Sequence, residues 1–435
     1  MSSHRKYFLL GVMTSFALLE FLMLSYLQSY FGIYFSPIIF FISSLGVSVV
    51  ALYFSVNLSE VKKTTPTSKS VYYLFLPLLF VLLYFGYSVF SKQPIDYNDS
   101  DIFAQVISPS EWLLKGEYPY QTVVLPSYSM HNTYLPMQWF PFLLSVGFGF
   151  DARWIPLLAW VVTLLLFIKY SGLQFNLTKE GRGKVAIVVI AFLSVFVIFG
   201  FIDLNSFDYC VSLELLPAAY YILFTLALLR GSWWAIGITS GICLMSRFSI
   251  ILLAPFLIWY VWKRFGWNVL WKSGATTVVF IMAIFVLPFM TKDPQLPYKI
   301  LGNYDSGAVG EWRVHDWQEP GTEPYQIARG MGAAIFVKKL YEYDIKDGVH
   351  HLKQAEIVLS LLVTLFLIYF SHRNYSFLNR DWVLLGGLKL YLTIFYTLVL
   401  IPYPYLFLLP VTVTVLLLLK AYADIFSVAS LAKEA

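Results

Sequence analysis

Residues 37–56 read PIIFFISSLGVSVVALYFSV, a run without one charged side chain. A helix of about 20 residues rises ~30 Å, which matches the hydrocarbon core of a bilayer. The run is continuous rather than alternating, so it fits a membrane helix and not a barrel strand. Similar runs recur at 7–30, 71–90, 152–168, 185–202, 211–229, 274–291, 355–371, 382–401 and 405–426. The expected fold class is therefore all-α: a polytopic transmembrane helix bundle forming a single membrane domain over 1–435.

Composition agrees. The chain has 435 residues, 59% hydrophobic, 19% aromatic and 13% charged, with mean hydropathy +0.69. Soluble domains carry about 25% charge, so about half of the usual solvating surface is missing. The net charge of +5 is spread over the ends of the apolar runs. That pattern orients a membrane protein and argues against a nucleic-acid partner. Cys210 and Cys243 lie in or beside apolar segments without metal-ligand spacing. They can pair, but two isolated small apolar residues is the simpler reading. The first run follows His4, Arg5 and Lys6, contains Glu20 and lacks a small-residue cleavage site. It reads as an uncleaved first span.

Two regions resist a one-span reading. Residues 135–150 are short and carry Pro136 and Pro141, while 232–262 is too long and is interrupted at Ser246-Arg247. The preference of Lys and Arg for cytoplasmic loops decides both. Arg5 and Lys6 place the N-terminus inside, and Lys62, Lys63 and Lys69 return the chain there. Residues 91–134 then form a first extracytoplasmic loop. If 135–150 is re-entrant or interfacial, the basic loop with Lys169, Lys179, Arg182 and Lys184 stays inside; a full crossing would put it outside. With the re-entrant choice Arg230, Lys263-Arg264 with Lys272, and His372-Arg373 with Arg380 also fall inside. Residues 232–262 then go out and back as two short helices meeting near Arg247. The acidic link 203–214 and the large polar loop 292–354 land outside. About twelve crossings result, with both termini cytoplasmic.

The outer segments hold the residues that can do chemistry. The first loop opens with Asp96, Asp99 and Asp101, continues through an amphipathic stretch Phe103–Leu114, and turns at Gly116 and Tyr118-Pro119-Tyr120. An ordinary solvated loop explains these carboxylates; an oxygen-rich cluster ahead of an interfacial helix also makes a general base or a hard-cation site. The second link, FIDLNSFDYCVSLELLP, adds Asp203, Asp208 and Glu214. Arg247 lies between two apolar runs, where an unpaired guanidinium costs at least ~2.5–3.5 kcal/mol. It either pairs with Asp203 or Asp208 or offers its fork of donors to a lipid phosphate. The large loop mixes Trp312, Trp317 and Tyr325 with Arg313, His315, Asp316 and Arg329. Aromatic faces suit carbohydrate and the cations suit phosphate, although any structured outer loop has such a mixture. Gly330 to Tyr341 reads as a helix leading to the next span. The stretch Gly307-Ala308-Val309-Gly310 is no dinucleotide fingerprint, because no strand precedes it. His350-His351 are adjacent rather than one helical turn apart, so they do not read as a metal site.

One pattern is more specific. Asp101 precedes a helix ending in Leu-x-Gly-x-x-Pro-Tyr, here Leu114-Lys115-Gly116-Glu117-Tyr118-Pro119-Tyr120, and Tyr134-Leu135-Pro136 opens the next apolar segment. With an acidic second link and a cation on a short helical pair, the chain resembles the GT-C superfamily of membrane glycosyltransferases. It looks most like the bacterial α-mannosyltransferases that use polyprenyl-phosphate mannose. The resemblance covers most of the chain in layout and residues 96–136 in detail.

It implies an inverting transfer of mannose or another hexose from a polyprenyl-phosphate sugar donor to a glycan or glycolipid acceptor. The chemistry would lie on the extracytoplasmic face of a cell membrane, by resemblance a bacterial plasma membrane, with membrane lipid around it. A first-loop Asp would deprotonate the acceptor hydroxyl. The family shows one such Asp where this chain has three, which leaves Asp101 and Asp99 as candidates. Asp96, Tyr120, Tyr134, Asp203, Asp208, Arg247, Arg313, His315 and Arg329 are the implied substrate contacts, with Arg247 and the loop cations stabilising phosphate charge. No cofactor is required by the pattern, though some members use a divalent metal. The alternatives are a polytopic transporter or lipid-carrier flippase, and a non-catalytic scaffold. Transporters often show inverted repeats and midplane charge; this chain shows no repeat and, Glu20 apart, little such charge.

Overall fold

The computed structural model describes residues 2–24, 28–58, 80, 83–84, 86–97, 101–125, 128–171, 212–316, 318–319 and 321–431. The expected span at 185–202, part of that at 71–90, and Asp99, Asp203, Asp208 and Cys210 lie outside these residues. Among the described residues, five helices are long and apolar enough to cross a membrane, and three shorter apolar helices accompany them. The sheet they contain is a two-stranded hairpin, β1 (Thr122–Val124) antiparallel to β2 (Ser129–His131). The protein is an all-α membrane protein.

The chain opens with α1 (Ser3–Leu22) and α2 (Gln28–Asn57). Of the run 7–30, α1 covers the residues up to Leu22, residues 25–27 lie outside the described ones, and Gln28 opens the helical segment α2. That segment bends at Gly32, whose φ of 73° is open to a residue without Cβ. After α3 (Asp101–Leu114) and the hairpin, 135–150 breaks into α4 (Pro136–Trp139), a 3-10 turn (Phe140–Phe142) and α5 (Leu143–Phe148). Pro141 has no N–H to continue the ladder, and none of the pieces alone is long enough to cross.

Next come α6 (Trp154–Tyr170), α7 (Leu215–Arg230) and α8 (Trp233–Leu244). As expected from its interruption, 232–262 is two short helices. Arg247 is extended at the break (φ −142°, ψ 132°), followed by a 3-10 turn (Phe248–Leu253) and α9 (Ala254–Phe265). Helix α10 (Trp267–Ile281) runs on as a π-helical segment to Met290, with Pro288 inside. The polar segment 292–354 folds into α11 (Leu296–Glu311), α12 (Tyr325–Ala328) and α13 (Ala334–Leu340), and it runs into α14 (Ile345–Arg373). The helix expected over Gly330 to Tyr341 is thus shorter. Gly330 and Gly332 instead pack on Pro402. Helices α15 (Arg380–Thr397) and α16 (Leu408–Leu431) close the chain.

Helix α16 is almost wholly buried, with α1, α2, α7 and α15 packed around it. By contrast α10 and α14 present most of their apolar surface outward, as lipid-facing helices do. Gly386 of α15 meets the Ala51 backbone and Cβ of α2, so the two helices approach closely where side chains are small.

A polar knot lies inside this apolar core. Glu20 and Lys389 are both fully buried and form an ion pair. Ser44 donates to Glu20 Oε1 at 3.0 Å, Thr414 donates to Oε2 at 2.7 Å, and Lys389 also donates to the Pro410 carbonyl at 3.0 Å. One such network joins α1, α2, α15 and α16. Buried charge is tolerable only when it is paired and hydrogen-bonded in this way. The charge at Glu20 is therefore matched by Lys389, which lies in the run 382–401.

The two ends of the bundle differ. At one end Arg264 pairs with Asp381 at 2.7 Å, Lys420 pairs with Asp424 at 2.9 Å, and Trp382 Nε1 donates to Asp424 at 2.8 Å. Tyr375 Oη donates to the Lys263 carbonyl at 2.7 Å at the same end. The basic ends of α9, α14 and α15 thus gather together. The other end holds α3, the hairpin, the break at Arg247 and the loop between α15 and α16.

Candidate active site

Asp101 begins α3, where the helix dipole favours a carboxylate. Tyr128, from the hairpin, donates its Oη hydrogen to Asp101 Oδ2 at 3.1 Å. Burial pushes the Asp101 carboxyl above its ordinary value, while hydrogen bonds from Tyr128, the backbone and Gln105 pull it back. Gln105, one turn along, also accepts from Thr133 through Oγ1 at 2.8 Å and the backbone N–H at 3.3 Å. These bonds tie the start of the helix to the strand that leads into Tyr134.

The far end of α3 explains the glycine of the Leu-x-Gly-x-x-Pro-Tyr pattern. Gly116 has φ of 78°. Its N–H bonds the Leu113 carbonyl at 3.0 Å, and Glu117 N–H bonds the Trp112 carbonyl at 2.8 Å. This paired closure satisfies the last helical carbonyls and needs a left-handed residue. The chain then turns inward to Tyr120. That side chain is 8% exposed and packs on Tyr118, Trp139, Phe285 and Phe289, with Trp139 Nε1 donating to its Oη at 3.4 Å. The structure places Tyr120 in an aromatic core that anchors the π-helical segment.

Tyr134 lies within electrostatic reach of both Asp101 and Arg247. Burial raises its phenol pKa, Asp101 adds to the rise, and Arg247 opposes it. The backbone fixes this juxtaposition, because Met137 N–H bonds the Met245 carbonyl at 2.9 Å, pinning α4 to the turn before Arg247. Arg247 is not an unpaired fork. It forms an ion pair through Nη2 with Glu214, which directly precedes α7 and is 2% exposed. Arg247 itself keeps 25% of its side chain exposed.

The loop between α15 and α16 closes the group. Tyr403 and Tyr405 stack at 5.1 Å with 11° between their rings. Burial raises the Tyr403 phenol, with Glu311 and Asp101 adding to the rise. Trp312 Nε1 donates to the Leu400 carbonyl at 2.8 Å, so the end of α11 is fastened to this loop. His315 Nε2 lies 3.4 Å from Glu311 Oε2.

The structure thus brings Asp101, Tyr134 and Arg247 together and places His315 behind Glu311. It leaves Asp96 and Arg313 exposed, and Arg329 stacks over Tyr325 at 4.7 Å. Residues not singled out from the sequence as site residues are Tyr128, Glu214, Glu311 and Tyr403. Two of them left a trace: Glu311 and His315 have one-turn helical spacing, and Tyr403-Pro404-Tyr405 repeats the Tyr-Pro-Tyr of the first loop. Among the described residues no three His, Cys, Asp or Glu side chains converge as metal ligands.

The arrangement offers a partly desolvated carboxylate, a guanidinium with one edge held by a partner, and tyrosine walls between them. Such a set can take a proton from a hydroxyl and bind a phosphate a short distance away. Comparison with protein-family models, curated proteins and solved structures returns no match.

Proposed function

We propose that the chain is a membrane glycosyltransferase that moves a hexose, mannose by preference, from a polyprenyl-phosphate donor to a glycan or glycolipid. In this reading the end bearing Asp101 is extracytoplasmic, both termini are cytoplasmic, and the chain makes about twelve crossings. The host membrane is a bacterial plasma membrane. The observation that carries the reading is that the bond from Met137 N–H to the Met245 carbonyl seats the start of α4 against the break at Arg247, with Asp101 and Arg247 both within electrostatic reach of Tyr134.

Asp101 acts as the base. It accepts the acceptor hydroxyl's proton as that oxygen attacks the anomeric carbon, and the lipid phosphate leaves from the opposite side with inversion. Asp99, two positions earlier, is the second candidate for this role. Glu214 occupies one edge of the Arg247 guanidinium and leaves the remaining donors for the phosphate, whose charge grows as the bond breaks. Asp203, Asp208, Arg313, His315 and Arg329 belong to the surrounding substrate contacts.

The Glu20–Lys389 pair bears on the transport alternative. Charge at mid-membrane is what a transporter carries, but here both groups are fully buried and hydrogen-bonded to their neighbours. A helix lock accounts for them.

The test is reconstitution in lipid nanodiscs with short-chain polyprenyl-phosphate mannose, glucose and galactose and a bacterial envelope glycolipid extract. Mass spectrometry should show hexose added from at least one lipid donor and none from nucleotide sugars. No addition from any lipid donor, or equal use of nucleotide sugars, would overturn the reading.

A further inference from the structure

Glu311 is a second carboxylate at the polar end, and the transfer chemistry above leaves it without a task. It ends α11, where Tyr304, Ala308 and Glu311 fall on one helical face by their spacing. Ala308 is fully buried and packs with Leu400 and Ile401. With the bond from Trp312 to Leu400, this presses the face onto the loop carrying Tyr403. Tyr304 and Glu311 therefore flank Tyr403 from two turns of one helix, about 10 Å apart along its axis. Tyr128, which binds Asp101, lies, like Tyr403, within electrostatic reach of Glu311. Tyr304 is 45% exposed and Tyr128 is 51% exposed, so their rings are open to a ligand. Glu311 spends Oε2 on His315, and Oε1 bonds no described residue.

We propose that Glu311, with the rings of Tyr128, Tyr304 and Tyr403, forms the acceptor subsite, and that it takes an uncharged sugar terminus. Tyrosine rings cover the apolar C–H face of a pyranose, and a carboxylate accepts hydrogen bonds from its hydroxyls. Two carboxylates on one small site, Asp101 and Glu311, repel an anionic sugar. The lipid-phosphate end, at Arg247, is a separate contact. This subsite rests on Asp101 being the base, since it sets the acceptor hydroxyl beside that residue.

The experiment measures equilibrium binding to the full-length protein in nanodiscs. The probes are soluble disaccharides ending in mannose, glucose or galactose, a glucuronic-acid-ended disaccharide, and farnesyl phosphate. At least one neutral disaccharide should bind and the glucuronide should bind at least tenfold more weakly. Glu311→Gln and Tyr304→Ala should each weaken the neutral probe by about tenfold, the size of one lost charge-assisted hydrogen bond or one lost stacking face, while farnesyl phosphate binding and the thermal midpoint stay unchanged. The proposal is overturned if no neutral disaccharide binds, if the glucuronide binds equally well, or if both variants bind like the parent. Glu311-independent binding together with Asp101-dependent transfer would remove the subsite and keep the transferase. Glu311-dependent binding without transfer from any lipid donor would do the reverse.

Discussion

The Tyr128 phenol donates a hydrogen bond to the Asp101 carboxylate over 3.1 Å. A donor to a carboxylate favours its ionised form, whereas burial, the larger effect here, favours the neutral acid. Asp101 acts as a base only when ionised, so activity is present above its raised pKa and lost as pH falls through it. Tyr128→Phe removes an interaction that lowers that pKa. The acid limb of kcat/KM should therefore move to higher pH, by roughly one unit. An unmoved acid limb would show that another group titrates there.

Asp101 should also cost stability. Its folded pKa lies above the unfolded one, so the cost is absent below the unfolded value and fully present above the folded value. Asp101→Asn should raise the thermal midpoint at neutral pH and leave it unchanged near pH 3, below the ordinary carboxylate range of about 4. A fall at neutral pH would mean that the carboxylate holds the site together.

Glu20 and Lys389 give a test inside the core. Lys389→Met leaves an unpaired, fully buried carboxylate and should cost about 3–5 kcal/mol. Adding Glu20→Leu to that variant should recover most of the loss, because the isolated charge is then gone. Unfolding of the two single variants and the double variant in nanodiscs measures the coupling.

These residues also show how much could be read from the chain. Continuous apolar runs declare membrane helices because lipid demands self-satisfied backbone. Pro136, Pro141 and Arg247 declare breaks because each disrupts a helix or its burial where it stands. Gly116 is legible for the same reason: its φ of 78° is a local requirement. Partners are not local. Glu20 and Lys389 lie 369 positions apart, and Glu214 is tied to Arg247 only by how α7 and α8 pack. The two Tyr-Pro-Tyr stretches look alike, yet Tyr120 is packed into the aromatic core while Tyr403 faces the Asp101 side. Their packing partners separate them, the Trp139 and Phe289 rings for one and Tyr405 for the other, and those partners belong to the assembled fold.

Gly330 tests the closure of the site by the large loop. A Cβ there would lie 2.2 Å from the Pro402 carbonyl oxygen. Backbone must move to admit it, so Gly330→Ala should cost about 1–3 kcal/mol. Because Pro402 adjoins Tyr403, sugar transfer should fall as well. A variant as stable and active as the parent would show that this loop does not hold Tyr403 in place.

The most direct measurement is hexose transfer from short-chain polyprenyl-phosphate sugars by the nanodisc-held protein and its Asp101→Asn, Asp99→Asn and doubly substituted forms. If Asp101 is the base, Asp101→Asn and the double variant lose transfer by about a hundredfold or more, while folding and farnesyl phosphate binding persist and Asp99→Asn stays active. Transfer at the parental rate in the double variant would contradict the account.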